Sequence, residues 1–105
     1  MSNKYNYGFD ELKDGTILVC SWGYSMTIVN FYKVIGRKGT ATVLLQGLEN
    51  ERVSGDGFSG ECVPGNPVGE VFKVRYSSKH KCAKIDSHRW LPIWGGNPAY
   101  YNHLD

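Results

Sequence analysis

Short apolar runs separated by glycine residues constrain this chain more than any other feature of its sequence. Each run is rich in β-branched residues and has the length of a strand, while no stretch combines a sustained helical period with helix caps. The 13 glycines are scattered without a period, which favours a fold rich in turns. The sequence therefore predicts a mainly β fold, with strands at residues 16–22, 28–35, 40–46, 70–76 and 82–87.

The first three runs are predicted to form a meander of antiparallel neighbours, because strands that follow one another in the chain usually pair. Residues 36–39 have glycine at both ends and are predicted to form the hairpin loop between the second and third strands. Residues 49–69 are polar and broken by glycines and prolines, so they are interpreted as a loop with a frayed strand at 61–63. Residues 5–13 are expected to form one helical turn or an irregular cover over the core. The predicted architecture is a small SH3-like or OB-like barrel of about five to six short antiparallel strands.

The chain has 105 residues, the length of one domain, so residues 1–105 are expected to form a single domain. Its 41% hydrophobic and 21% charged residues are typical of a globular protein and argue against intrinsic disorder. No apolar run approaches the roughly 20 residues that cross a bilayer, and no secretory signal is recognisable, so neither membrane binding nor secretion is expected. Cys20, Cys62 and Cys82 are odd in number and lack CxxC spacing, so reduced thiols and a cytoplasmic location are predicted.

Catalytic motifs are missing from the sequence. It contains no HExxH, no GxSxG and no P-loop, and residues 55–60 match GxGxxG without following a clear strand or opening a helix. The three histidines and three cysteines do not combine into four zinc ligands. Cys20 lies inside a predicted strand, where a thiol is usually inert. We therefore expect a protein that is not an enzyme and that uses no cofactor or metal.

Cations concentrate in residues 73–89, although the net charge of +2 predicts no strong overall field. Side-chain alternation puts Lys73 and Arg75 on one face of their strand, and Lys84, Asp86 and His88 on one face of the next. If these two strands pair, a cationic stripe results, and charge beside aromatic rings is the composition that binds single-stranded nucleic acid or nucleotide phosphates. The alternative is an ordinary solvated strand exterior, balanced by acids near residues 10–14 and 49–56.

Aromatic rings are the second candidate feature. Trp22, Gly23 and Tyr24 lie where a predicted strand ends, and two rings flanking a glycine could stack a base or another flat ligand. The alternative is a core tryptophan that closes one end of the barrel. Phe31, in the middle of a strand, is predicted to lie in the core.

A family resemblance lies in the same region. Trp22-Gly23-Tyr24, Thr27 and Phe31-Tyr32-x-Val34 resemble a motif of uncharacterised small proteins of phages, prophages and other mobile elements, which reads Trp-Gly-Tyr-Asp-Gln-Thr-Asn-Val-Asp-Phe-Tyr-Gln-Val. The C-terminal Lys84-Ile85-x-Ser87 and the segment from Trp94 to Tyr100 are similar to the ending of those proteins. The polar family residues between Tyr24 and Phe31 are replaced here by Ser25, Met26, Ile28 and Asn30.

The resemblance implies a phage or mobile-element origin, and small proteins of that origin often serve host takeover or counter-defence. We therefore expect a binding module that acts in the host cytoplasm by occupying a host protein or a nucleotide-type ligand, in the manner of an anti-CRISPR or a signal-sequestering protein. The alternative is a single-stranded nucleic-acid-binding protein. The oligomeric state is left open. The candidate binding residues are Trp22, Tyr24, Thr27, Lys73, Arg75, Lys84, His88, Arg89 and Trp94.

Overall fold

The fold is built from antiparallel strands. The computed structural model describes residues 5–22, 27–55, 59–86 and 89–102. Within these ranges there is no α-helix, and so none that could cross a membrane; the one helical element is a 3₁₀ turn, Phe9–Glu11. The strands are β1 (Ile17–Trp22), β2 (Ile28–Lys38), β3 (Thr42–Gly55), β4 (Ser59–Pro67), β5 (Phe72–Ser77), β6 (Cys82–Lys84), β7 (Trp90–Leu91) and β8 (Ala99–Asn102).

Six of the strands wrap into a nearly closed barrel in the order β1-β2-β3-β5-β6-β7. The residues after β7 return to β1, where Leu18 bridges Ile93. Two hydrogen bonds complete this seam: the Val19 N–H donates to the Pro92 carbonyl at 3.0 Å, and the Trp94 N–H donates to the Ile17 carbonyl at 2.8 Å. The predicted mainly β fold and the small SH3-like or OB-like barrel are confirmed.

Residues facing into the barrel form the first hydrophobic core. The 3₁₀ turn and the residues beside it form a cover over this core, since Tyr7, Phe9 and Leu12 pack into it; of the two expectations for residues 5–13, the helical turn is the one found. Arg37 anchors this cover, because its guanidinium lies 5.2 Å from the Phe9 ring centroid and donates to the Phe9 carbonyl at 3.0 Å. The buried members of this core are Tyr7, Leu12, Leu18, Cys20, Val34, Val43, Leu45, Val74, Tyr76, Cys82, Ala83 and Leu91.

The prediction of a loop over residues 49–69 is wrong. β3 continues to Gly55 and pairs with β4, and β4 in turn pairs with β8. We call residues 50–55 and 59–64, together with β8, the arm. Prolines are tolerated here because Pro64 and Pro67 flank an irregularity in the β3–β4 register, where a missing N–H interrupts few ladder bonds.

The predicted hairpin loop at residues 36–39 is also displaced. β2 continues through these positions to Lys38, and a register shift between Val34 and Gly36 leaves Ile35 as an extra, exposed residue. A bulge of this kind shifts the chain without ending the strand. The turn follows at Gly39, whose φ of +60° is a conformation that glycine adopts without steric cost.

A second hydrophobic core lies between the arm and the outer side of β1 and β2. Phe31 is 1% exposed within it, which confirms that Phe31 is a core residue. β1 and β2 are therefore buried on both faces, since Leu18 and Cys20 face the barrel interior while Val19 faces the arm. The buried residues of this second core are Val19, Val29, Phe31, Leu48, Cys62 and Tyr101.

Candidate functional site

Three of the candidate cations come together on the outside of the barrel. β5 and β6 pair, as the predicted stripe required, and Arg75 lies directly opposite Lys84. Arg75 is also opposite Thr42 on β3, and Lys84 is opposite Trp90 on β7. Consecutive cross-strand neighbours on four strands are therefore Thr42, Arg75, Lys84 and Trp90. Lys73 lies on the same face of β5 as Arg75, and we call Lys73, Arg75 and Lys84 the cationic row.

The cationic row surrounds a shallow depression of about 490 Å³. Val74 and Ile85 contribute its apolar lining, and Thr42 contributes a hydroxyl. Lys73 and Arg75 are exposed, and Lys84 is half-buried. The depression thus offers two freely solvated cations and one partly confined cation around a small apolar floor.

The electrostatics of the row are unbalanced. Like charges directly opposite one another on neighbouring strands destabilise a sheet, and Arg75 and Lys84 form such a pair. Among the described residues, no carboxylate lies within 4.0 Å of Lys73, Arg75 or Lys84. An anion bound in the depression would relieve this repulsion.

Two rings flank the row on the β6–β7 side. The Lys84 Nζ lies 5.3 Å from the centroid of the Trp90 ring, a distance at which a cation is attracted to the face of an indole. The His80 ring lies beside the same indole, with centroids 4.7 Å apart. Ser77 holds the His80 turn, because its Oγ accepts the His80 backbone N–H at 3.2 Å and lies 3.1 Å from Nδ1.

Trp90 and His80 are not among the binding residues predicted from the sequence. β7 is only two residues long, which is too short for a recognisable alternation of apolar and polar residues. His80 belongs to a turn, where no periodicity applies. The available signal was their position in the chain, since His80 lies within the stretch of cations at residues 73–89 and Trp90 follows directly after it.

Arg89 is held elsewhere, in the turn that follows β6. Its Nη2 lies 2.8 Å from the Asp86 Oδ2, and its backbone N–H donates to the Asp86 Oδ1 at 2.9 Å. This side-chain hydrogen bond with Asp86 raises the pKa of Arg89 above its ordinary value. Neither Arg89 nor Asp86 lines the depression.

Thr27 and Trp94 do not join the row. Thr27 exchanges backbone hydrogen bonds with Asn102, at 2.7 and 3.0 Å. Trp94 packs against the second core, edge-on to Phe31 with ring centroids 5.8 Å apart, and its Nε1–H donates to the Asn97 carbonyl at 2.7 Å. The Trp22 backbone belongs to β1. Its side chain, and the whole of Tyr24 and His88, lie outside the described residues.

The buried thiols have the wrong environment for nucleophilic chemistry. Cys20, Cys62 and Cys82 are all buried and free. Burial raises the pKa of the Cys20 thiol to about 11, and it raises the pKa of Cys62 and of Cys82 in the same direction. A thiol with a raised pKa carries little of the reactive thiolate at neutral pH. In the described ranges, no three His, Cys, Asp or Glu side chains are grouped to hold a metal ion.

A second depression of about 440 Å³ lies between residues 6–11 and the β5–β6 turn. It is lined by groups of both charge signs, including Glu11 and Lys81. Its aromatic hydroxyls are already used, since Tyr76 donates to the Tyr7 carbonyl and Tyr7 donates to the Leu91 carbonyl. The cationic row is therefore the stronger candidate for a binding site.

No known protein family, curated protein or solved structure matches this chain. The geometry of the site and the sequence motif around Trp22-Gly23-Tyr24 are therefore the features that indicate a function.

Proposed function

We propose that this chain is a non-enzymatic binding module whose cationic row holds the phosphates of a single-stranded nucleic acid. The observation that supports this most strongly is the pair Arg75 and Lys84, which lie directly opposite each other with no described carboxylate within 4.0 Å. Such a pair costs stability in the free protein. A phosphate between the two side chains would remove this repulsion and accept a charge-assisted hydrogen bond from each of them.

The rings beside the row support a nucleic acid over a simple anion. Trp90 and His80 lie next to Lys84, so a base could stack there while its phosphate contacts the row. Grooves that combine cations with aromatic rings bind single strands without a strong sequence preference. The shallow shape of the depression also suits a chain-like ligand that crosses the face.

Binding of a fluorescently labelled oligothymidine, followed by anisotropy, tests this proposal. Affinity should fall as salt rises, because each phosphate contact releases about 0.7 counterion from a single strand. The double variant Arg75→Ala/Lys84→Ala should bind about a hundredfold or more weakly, since each of the two lost hydrogen bonds from a charged group contributes about 1.5 kcal/mol or more. Its salt slope should be smaller by about 1.4, corresponding to two lost phosphate contacts.

Lys13→Ala/Arg52→Ala is the matched control, because it removes two exposed cations that lie away from the row. It should keep most of the wild-type affinity. A wild-type protein that does not bind at low salt would refute the proposal. Equal losses in the two double variants would show that only the net charge matters and would also refute a site at the row.

Trp90 provides a separate test of base stacking. Trp90→Ala should weaken binding by about 1–3 kcal/mol if a base stacks on the ring, whereas Trp90→Phe should retain part of that contribution. The same comparison with a free polyphosphate, which carries no base, should show no difference between the two variants. A difference with polyphosphate would mean that Trp90 acts only by holding Lys84.

A host-directed factor is the second candidate function. The resemblance around Trp22-Gly23-Tyr24 supports a phage or mobile-element origin, and the outer face of the arm offers a surface for a host protein. Such a factor would act in the host cytoplasm by occupying a defence protein or a signalling nucleotide. Pull-down from host-cell lysate at moderate salt should then recover a defined protein, and calorimetry with nucleotides would detect the ligand form. Binding only to oligonucleotides would exclude this second candidate.

A further inference from the structure

The arm has an outer sheet face that carries acids and an exposed aromatic ring. Cys62 of β4 faces the second core, so its neighbours Glu61 and Val63 face the opposite way. In the strand register, Glu51 lies opposite Val63, and Tyr100 lies opposite Glu61. Glu51 and Glu61 are exposed, and the Tyr100 side chain is 55% exposed.

The charge of this face is not balanced within the molecule. Among the described residues, no cation lies within 4.0 Å of Glu51 or Glu61. Within the described part of the chain, the polar partner of these carboxylates is a neutral hydroxyl, since the Ser54 Oγ donates to Glu61 at 3.2 Å. We call Glu51, Glu61 and Tyr100 the acidic face of the arm.

The acidic face and the cationic row lie at different ends of the same strand. β3 begins at Thr42, which lines the depression of the row, and ends at Gly55, at the tip of the arm. Glu51 follows Thr42 by nine residues of β3, which corresponds to about 30 Å at a rise of about 3.3 Å per residue. The two faces of one molecule are therefore too far apart to meet each other.

We propose that the acidic face of one molecule docks on the cationic row of a second copy of this chain. Two carboxylates would meet the repelling pair Arg75 and Lys84, and Tyr100 would pack near Trp90. A second copy is the favoured occupant because the two faces carry complementary charge and each includes an aromatic ring. Complementary faces orient a partner and suppress wrong contacts.

Each copy carries one face of each kind, so the contact can be made twice in a closed dimer or repeated along a head-to-tail chain. Self-association does not depend on nucleic-acid binding. If both occur, they compete for Arg75 and Lys84, and an oligonucleotide should dissociate the assembly.

Sedimentation at low salt, with protein concentrations up to about 1 mM, tests the docking. The wild type should associate, and the association should weaken as salt rises. The arm-reversed variant Glu51→Lys/Glu61→Lys and the row-reversed variant Arg75→Glu/Lys84→Glu should each stay monomeric. An equimolar mixture of the two should associate again, because each variant then supplies the charge that the other one needs.

Asp10→Lys/Asp14→Lys is the matched control, since it reverses two exposed acids away from the arm and should still associate. Circular dichroism of each variant establishes that it is folded. A wild type that is monomeric at every concentration overturns the proposal, and so does a mixture of folded variants that stays monomeric. Glu51→Gln/Glu61→Gln should lose self-association but bind oligothymidine normally. A failure of the docking proposal can therefore be distinguished from a failure of the proposed nucleic-acid binding.

Discussion

Tyr7 joins β6, β7 and the turn between β5 and β6. Its hydroxyl donates to the Leu91 carbonyl at 2.6 Å and accepts the Ala83 N–H at 2.9 Å. Its own N–H donates to the Lys81 carbonyl at 2.9 Å. The side chain is 3% exposed, so these bonds satisfy backbone groups that water does not reach.

Tyr7→Phe should therefore lower the free energy of unfolding by about 1–3 kcal/mol, because it leaves a buried donor and a buried acceptor without their partner. Urea denaturation followed by circular dichroism measures the change. Tyr5→Phe is the control, because that ring is 61% exposed and its hydroxyl should contribute almost nothing. Equal stabilities of the two variants would contradict the role assigned to the Tyr7 hydroxyl.

Cys20 makes the free energy of unfolding depend on pH in the alkaline range. Burial raises the pKa of its thiol from 9.0 to about 11 in the folded state. The unfolded thiol loses its proton first, so the stabilisation is complete below pH 9 and is lost as the pH rises towards 11. Urea denaturation across this range should show a steeper fall for the wild type than for Cys20→Ala, by up to about 1.4 kcal/mol per unit of pKa shift. Parallel curves would refute this assignment.

At the scale of single elements, the arm depends on a close approach of two glycines. Gly55 and Gly60 are cross-strand partners with φ of +88° and +152°. A Cβ on Gly60 would lie 2.2 Å from the Ser54 carbonyl oxygen, so no larger residue fits without moving the backbone. These glycines belong to the segment that resembled a dinucleotide motif, and in the fold they allow two strands to meet.

An unfavourable backbone conformation alone costs about 1–3 kcal/mol. Gly60→Ala should destabilise the arm by more than this, because the added Cβ also collides with the Ser54 carbonyl oxygen. Gly39→Ala is the control, because Gly39 also has a positive φ but a Cβ there meets no atom within 4 Å. Hydrogen exchange of β4 and β8 amides should accelerate in Gly60→Ala and remain near wild type in Gly39→Ala. Unchanged exchange in the arm would refute the close-packing argument.

The elements that sequence patterns could predict are those with short-range signals. β1 and β5 have apolar or alternating residues over most of their length, and their predicted bounds differ from the observed ones by at most two residues. The shared outer face of Lys84 and Arg75 also followed from alternation, once the two strands were taken as neighbours, but their direct opposition did not. β4 carries two prolines and two glycines, so its local sequence resembles a loop, and only pairing with β3 and β8 makes it a strand. That information is not local.

At the scale of the whole molecule, the two cores share β1 and β2. Leu18 and Cys20 contact the barrel core while Val19 and Phe31 contact the second core. The strands that separate the cores therefore cannot unfold without exposing both. This arrangement predicts one cooperative unfolding unit.

Phe31→Ala and Leu45→Ala test this coupling, since they remove a large side chain from the second core and from the barrel core respectively. Each should lower the free energy of unfolding by about 2–5 kcal/mol. In both variants, far-ultraviolet circular dichroism and tryptophan fluorescence should report one shared transition. Two separate transitions, with Phe31→Ala shifting only one, would mean that the arm unfolds on its own.

The seam between β1 and residues 92–94 has a consequence for synthesis. β1 leaves the ribosome well before its partner at Pro92 and Trp94 has been made. At about 5–20 residues per second, several seconds pass between the two events. Throughout that interval β1 is an open edge of apolar, β-branched residues, the kind of edge that aggregates. The nascent chain therefore cannot close its barrel before residues 92–94 have emerged, and its yield in the cell should depend on protection of β1 until then.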